Sequence, residues 1–187
     1  MKVNERRREM PQNLEARLKE TIVPVADFPK EGVTFRDITP LLSDPELLHD
    51  TIEAFYAHYE GKDVSAIAGP ESRGFLFGVL LAQRMNLPFA PIRKPGKLPR
   101  DVYRQPYELE YGTDELQIHR DALSAEDNVV IVDDLLATGG TAWAAAELVA
   151  QTGARVEGSA FVIELPNLEG RKRLGAHAVS VYSLVQF

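Results

Sequence analysis

Asp133 and Asp134 stand side by side at the end of the run Val129-Val130-Ile131-Val132, and after Leu135-Leu136 comes Ala137-Thr138-Gly139-Gly140-Thr141. Adjacent carboxylates can accept hydrogen bonds from sugar hydroxyls or hold a metal-bound sugar phosphate. A loop of small residues, glycines and hydroxyls that opens a helix offers a phosphate unpaired backbone N–H groups and the positive end of the helix dipole. The assembled reading is a phosphorylated ribose lying across a strand–loop–helix turn. Taken singly, each part has an ordinary explanation: two aspartates end a strand, and a Thr-Gly-Gly-Thr run caps a helix. The ordered combination is much rarer. It is neither of the common nucleotide loops, since the chain has no Gly-x-x-x-x-Gly-Lys-Ser/Thr and no Gly-x-Gly-x-x-Gly after a strand.

Other chemistry-bearing residues cluster in three places. Gly69-Pro70-Glu71-Ser72-Arg73-Gly74 lies between an apolar run and an apolar helical pattern, so it is a second candidate anion loop, with Arg73 as its charged donor. Between Arg93 and Arg104 stand Arg93, Lys94, Lys97, Arg100 and Arg104 against only Asp101, with Pro95, Gly96 and Pro99 keeping the segment irregular. Such a charge run usually forms a solvated face, but a basic, Gly/Pro-hinged segment beside two phosphate loops also suits a lid over a pyrophosphate. Glu110 and Tyr111 are the polar handles of the next segment.

The elements that must position these groups follow from periodicity. Leu14, Leu18 and Ile22 mark an amphipathic helix over Asn13–Val23. Asp27 to Pro40 is broken by prolines and Gly32 and reads as an ordered, extended loop. Asp44-Pro45 starts a helix that runs to about Glu60. Val64–Ala68 and Phe89–Arg93 read as buried strands, with a helix from about Phe75 to Met85 between them. Pro106–Glu110 and Glu115–Ile118, joined by Tyr111-Gly112-Thr113-Asp114, read as a hairpin-like flap. The strand from Val129 precedes a helix over Ala142–Gln151 with Gly153 as its C-cap. Ala154–Leu165 and Val179–Val185 are strands around a short helix at Leu168–Leu174. This alternation predicts an α/β fold with a mainly parallel sheet flanked by helices, whose ligands bind beyond the carboxyl ends of the strands.

Composition bounds the function. The 187 residues are most simply one domain, and the net charge of −7 argues against general nucleic-acid binding. The chain has no cysteine, which removes disulfides and thiolate metal sites and fits a reducing compartment. No apolar run approaches the ~20 residues of a membrane helix. The basic stretch Arg6-Arg7-Arg8 has no apolar segment after it, so it is no signal peptide, and residues 1–12 are expected to be a solvated or disordered end. A cytoplasmic location is expected.

Val129–Thr141 resembles the phosphoribosyl-pyrophosphate motif of the type I phosphoribosyltransferase family, and Phe28-Pro29-Lys30-Glu31-Gly32-Val33-Thr34-Phe35-Arg36-Asp37-Ile38 resembles the base-binding hood of its adenine-specific branch. Arg93-Lys94-Pro95-Gly96-Lys97-Leu98-Pro99 and Leu109-Glu110-Tyr111-Gly112 match that branch as well. The resemblance covers nearly everything from about Phe28 onward. It implies the type I fold, with a small hood at about 27–40 and a flexible catalytic flap at about 94–116. It implies formation of AMP and pyrophosphate from adenine and 5-phosphoribosyl 1-pyrophosphate. Asp133 and Asp134 then hold the ribose and Ala137, Thr138, Gly139, Gly140 and Thr141 the 5′-phosphate. Arg73, Arg93, Lys94 and Lys97 take the pyrophosphate; Thr34, Phe35, Arg36 and Leu135 take adenine; Glu110 and Tyr111 are catalytic. Magnesium is expected to be held mainly through the substrate, near Asp133. A homodimer is implied, without settling which subunit Lys97 serves. Rival readings are a non-catalytic regulator that binds the donor, and an enzyme for another base. Orotate enzymes carry a differently spaced lysine-rich loop, and hypoxanthine–guanine enzymes lack the hood pattern.

Overall fold

The computed structural model describes residues 13–108 and 113–187. They fall into two compact units, one ending at Ala54 and the other spanning Phe55–Phe187.

In the N-terminal unit, α1 (Leu14–Thr21) buries Leu14 and Leu18, the stripe expected from the four-residue spacing. It stops before Val23 because Val23–Val25 forms β1, paired antiparallel with β2 (Phe35–Asp37). The segment expected to be wholly loop therefore contains a strand. Its turn is closed by Asp27, whose carboxylate accepts the Gly32 N–H at 2.8 Å, and Gly32 has the left-handed φ of 82° that glycine adopts without penalty. The Asp37 carboxylate accepts both the N–H (2.9 Å) and the hydroxyl (2.8 Å) of Thr39 at the start of α2 (Thr39–Leu42), a turn the periodicity did not show. α3 (Pro45–Tyr59) starts as expected: Asp44 Oδ1 accepts the Leu47 N–H at 3.0 Å ahead of a proline at the first helical position.

The second unit runs β3 (Ala66–Pro70), α4 (Arg73–Met85), β4 (Phe89–Ile92), β5 (Val102–Glu108), β6 (Thr113–His119), β7 (Asn128–Leu136), α5 (Gly140–Gln151), β8 (Arg155–Glu164), α6 (Gly170–Ala176) and β9 (Val181–Gln186). The sheet order is β4-β3-β7-β8-β9, and every pairing is parallel. Val129 to Val132 are fully buried, as an apolar run without alternation requires of a strand covered on both faces. β5 and β6 form a separate antiparallel ribbon. From β3 the chain moves through α4 outward to β4, whereas from β7 it moves through α5 the opposite way to β8. The strand order thus reverses between β3 and β7, and a crevice opens there beyond their carboxyl ends.

Several boundaries differ from the sequence-based expectation. β3 includes Gly69 and Pro70, so the loop after it is only Glu71-Ser72 and Arg73 begins the helix. The cause is close packing: a Cβ on Gly69 would lie 3.0 Å from the Val132 carbonyl oxygen, and one on Gly74 2.7 Å from the same atom. Likewise β7 does not stop at the aspartates but continues to Leu136, held by β8 as far as the Leu136–Glu164 pair. Gly140 and Thr141 belong to α5 itself. The ribbon strands are longer than the flap segments expected, and Val102–Arg104 is strand rather than irregular lid, because β6 supplies partners along its whole length. No helix among the described residues is long and apolar enough to cross a membrane.

Candidate active site

The crevice between β3 and β7 contains a cavity of about 170 Å3 lined by Arg73 and by every residue from Asp133 to Ala142. That is several times the ~30 Å3 a water occupies in the liquid. The acidic pair, the glycine loop and Arg73, inferred separately from sequence, therefore share one space.

Strand alternation sends the two aspartates to opposite sides of β7. Asp134 is almost completely buried, and its Oδ2 has no hydrogen-bond partner, although the Arg73 guanidinium Nε stands 3.2 Å away. Asp133 Oδ1 accepts the Asp134 N–H at 2.9 Å. Burial raises the carboxyl pKa of Asp133 well above the ordinary range, and the neighbouring Asp134 carboxylate raises it further. Burial also raises Asp134, against the opposing pull of Arg73. The two form a pair that gives up its protons reluctantly. Gly74 makes this proximity possible, since a Cβ there would sit 3.1 Å from Asp133 Oδ1 and 2.8 Å from the Pro70 ring.

Gly139 caps α5 in the left-handed conformation (φ 78°), and its carbonyl accepts the Trp143 N–H at 2.9 Å. Gly139 and Gly140 are buried and Thr138 is exposed, so the loop presents backbone rather than side chain to the cavity. The first N–H groups of a twelve-residue helix point at this space. Trp143 lies one turn further on, with the Arg173 guanidinium 5.3 Å from its ring and His177 at 5.7 Å.

Three of the four basic residues, Arg73, Arg93 and Lys94, are held by a carboxylate. Arg93 Nε lies 2.6 Å from Glu71 Oε2, and Lys94 Nζ lies 3.1 Å from Asp114 Oδ2. Lys97 is exposed, and its carbonyl accepts from Arg93 at 3.5 Å. Asp114 also accepts the Tyr107 hydroxyl at 3.2 Å, and Tyr107 hydrogen-bonds Thr141 at the start of α5. The ribbon thereby meets the glycine loop near the Glu108–Thr113 end of its ladder and is tied, through the Arg93–Gln117 bridge, to the end of β4. Sequence reasoning missed Glu71, Tyr107 and Asp114, because the fold alone brings the two carboxylates to Arg93 and Lys94. Leu135 lines the cavity. Thr34, Phe35 and Arg36 lie in the N-terminal unit, where Phe35 packs edge-on against the exposed Phe28 at 5.2 Å. Glu110 and Tyr111 lie outside the described residues.

The phosphoribosyl transferase domain model matches residues 38–186. The adenine phosphoribosyltransferase of Francisella philomiragia is 55% identical over 165 residues, covering 87% of this chain and 94% of its own. This chain belongs to the adenine phosphoribosyltransferase family. Among solved members of the family, the enzyme of Thermoanaerobacter pseudethanolicus superposes with a TM-score of 0.89 at 48% identity, over 92% of this chain and 99% of its own. The Saccharomyces cerevisiae enzyme, solved with an imino-altritol bisphosphate and adenine, gives 0.87 at 41% identity, over 92% and 98%.

Proposed function

We infer that the chain transfers the 5-phosphoribosyl group of 5-phosphoribosyl 1-pyrophosphate to adenine, giving AMP and pyrophosphate in purine salvage. The observation that carries this reading is the single cavity shared by an under-satisfied acidic pair, an arginine and a helix N-terminus. The donor offers the matching groups: two ribose hydroxyls, a pyrophosphate and a 5′-phosphate.

In this reading the Asp133 and Asp134 carboxylates accept the ribose hydroxyls, and the amides of Ala137–Thr141 surround the 5′-phosphate. Arg73, Arg93, Lys94 and Lys97 neutralise the departing pyrophosphate. Three of the four are already placed by carboxylates, so binding exchanges one anion for another rather than ordering a free side chain. Displacement at the anomeric carbon builds positive charge on the sugar and negative charge on the leaving group; fixed charges aimed at those positions lower the barrier. Glu110 and Tyr111 sit in the connection between β5 and β6, and Glu110 is assigned the proton at the imidazole ring or the support of the sugar cation. Thr34, Phe35 and Arg36 are assigned to the base by the hood pattern, Leu135 to its other face.

Among the described residues no three His, Cys, Asp or Glu side chains converge as a metal site. The donor set nevertheless suits magnesium carried by substrate, because that ion is commonly held by one or two carboxylates plus phosphate oxygens, and Asp134 Oδ2 lacks a hydrogen-bond donor. Asp133 and Asp134 would hold it, and it would neutralise pyrophosphate charge.

We assign the enzyme to the cytoplasm as a homodimer. On α4, Leu76, Val79 and Leu80 are 41%, 48% and 39% exposed at helical spacing, an apolar stripe that a second copy would cover. Incubating the protein with labelled adenine, the pyrophosphate donor and magnesium is expected to yield labelled AMP. No product would end the enzyme reading, and preference for hypoxanthine or orotate would overturn the base assignment alone. Light scattering should give a dimer mass that Leu80→Glu reduces.

A further inference from the structure

The glycine loop is backed by a second backbone. A Cβ on Gly139 would stand 3.0 Å from the Gly170 carbonyl oxygen and 3.1 Å from its Cα, and a Cβ on Gly170 would collide with the Ala137 carbonyl oxygen and come within 2.8 Å of Leu136 Cδ1. Neither position has room for a side chain, so the first residue of α6 lies directly against the outside of the loop.

What fixes α6 there is a buried carboxylate. Glu164, the last residue of β8, is 2% exposed and sits opposite Leu136 in the sheet. Arg171 donates to it from Nε at 2.7 Å and from Nη2 at 2.5 Å, a two-pronged pair of fixed geometry. The same guanidinium donates to the Val181 carbonyl at 2.8 Å, and Ser183 also donates to Glu164. The residue after Gly170 is thereby anchored to two strands, in register with the point where β7 gives way to the loop.

We propose that Glu164 and Arg171 are positioning residues for the 5′-phosphate: they press Gly170 against Ala137–Gly139 and keep the loop amides converging on one anion. This rests on the assignment of Ala137–Thr141 to that phosphate. A cluster that merely stabilised the sheet would leave substrate affinity alone. A loop whose backing yields loses converging hydrogen bonds to a charged group, and loss of about 1.4 kcal/mol of such bonding is tenfold in affinity.

The test measures ribose 5-phosphate binding by calorimetry, steady-state kinetics and urea unfolding for the wild type, Gly170→Ala, Arg171→Gln and Gln186→Ala. Gly170→Ala and Arg171→Gln are expected to weaken ribose 5-phosphate and raise KM for the pyrophosphate donor about tenfold, with kcat and KM for adenine within about twofold. Gln186→Ala removes a donor to the same carboxylate and leaves the Arg171 hydrogen bonds in place, and it should lose stability with KM unchanged. If Gly170→Ala and Arg171→Gln lose stability but bind ribose 5-phosphate as the wild type does, the proposal is overturned and the phosphate assignment stands. If the wild type itself does not bind ribose 5-phosphate, the assignment fails and the proposal with it. Should Arg171→Gln not fold, Gly170→Ala decides.

Discussion

Two buried acidic groups lie near the carboxyl ends of adjacent strands, and their surroundings are opposite. Glu164 on β8 accepts from Arg171, Ser183 and Gln186, and these hydrogen bonds, the Arg171 pair foremost, hold its carboxyl below the ordinary range. Asp133 and Asp134 on β7 are raised instead, chiefly by burial, and Asp134 Oδ2 is left without a hydrogen-bond donor. The same chemical group is saturated in one place and starved in the other. Saturation marks a structural joint, and starvation marks a place where a ligand supplies the missing partners.

The sharpest way to break this comparison is to neutralise each side. Asp134→Asn is expected to reduce turnover about a hundredfold, because it removes the charge and one acceptor oxygen of the carboxylate proposed for the ribose. The same change should raise thermal stability by about 2–4 °C for each kcal/mol of relieved repulsion, since it discharges a buried like-charged pair. Unchanged kinetics would take Asp134 out of the site. Glu164→Gln should do the reverse, costing about 1–2 kcal/mol in urea unfolding while leaving kcat nearly intact.

Acidity distinguishes the two more gently. Glu164 titrates below its unfolded value, so its contribution is present above the unfolded pKa and is lost as pH falls through the folded one. The aspartate pair titrates above its unfolded value, so its contribution is present below that value and is lost as pH rises through the folded one. Unfolding curves across pH should therefore show Glu164→Gln flattening the acid limb, and the double change of Asp133 and Asp134 to Asn gaining more over wild type at neutral pH than in acid. Smallest of all is Asp114→Asn, which removes a partly exposed pair with Lys94 and should cost less than about 1 kcal/mol. A larger loss would show that Asp114, through Tyr107, holds the ribbon as firmly as Glu164 holds α6.

The parallel sheet was legible because its strands are apolar runs separated by amphipathic helices, and most of the cavity lining because Asp133–Thr141 is contiguous in sequence. The register was not. Gly69 and Pro70 look like loop residues, yet they continue β3 because Pro91 and Ile92 of β4 pair with them. Local propensity carries no record of such pairing. Val102–Arg104 was hidden in the same way by its charges. The partners of the basic residues were equally invisible: Glu71 lies far in sequence from Arg93, and Asp114 from Lys94, so only folding brings them together. Gly170 gave no sign of its role, because the group it crowds is a backbone carbonyl.

The protein has one tryptophan, and it is Trp143, whose N–H closes the turn that begins at Gly139. Its ring lies beside the Arg173 guanidinium of α6 and the imidazole of His177, the residue that ends that helix. Indole fluorescence therefore comes from one ring seated between the glycine loop and the end of α6. An anion arriving at the loop would change the field on that ring, so the indole, excited at wavelengths beyond the absorption of the six tyrosines, would report occupancy without a label.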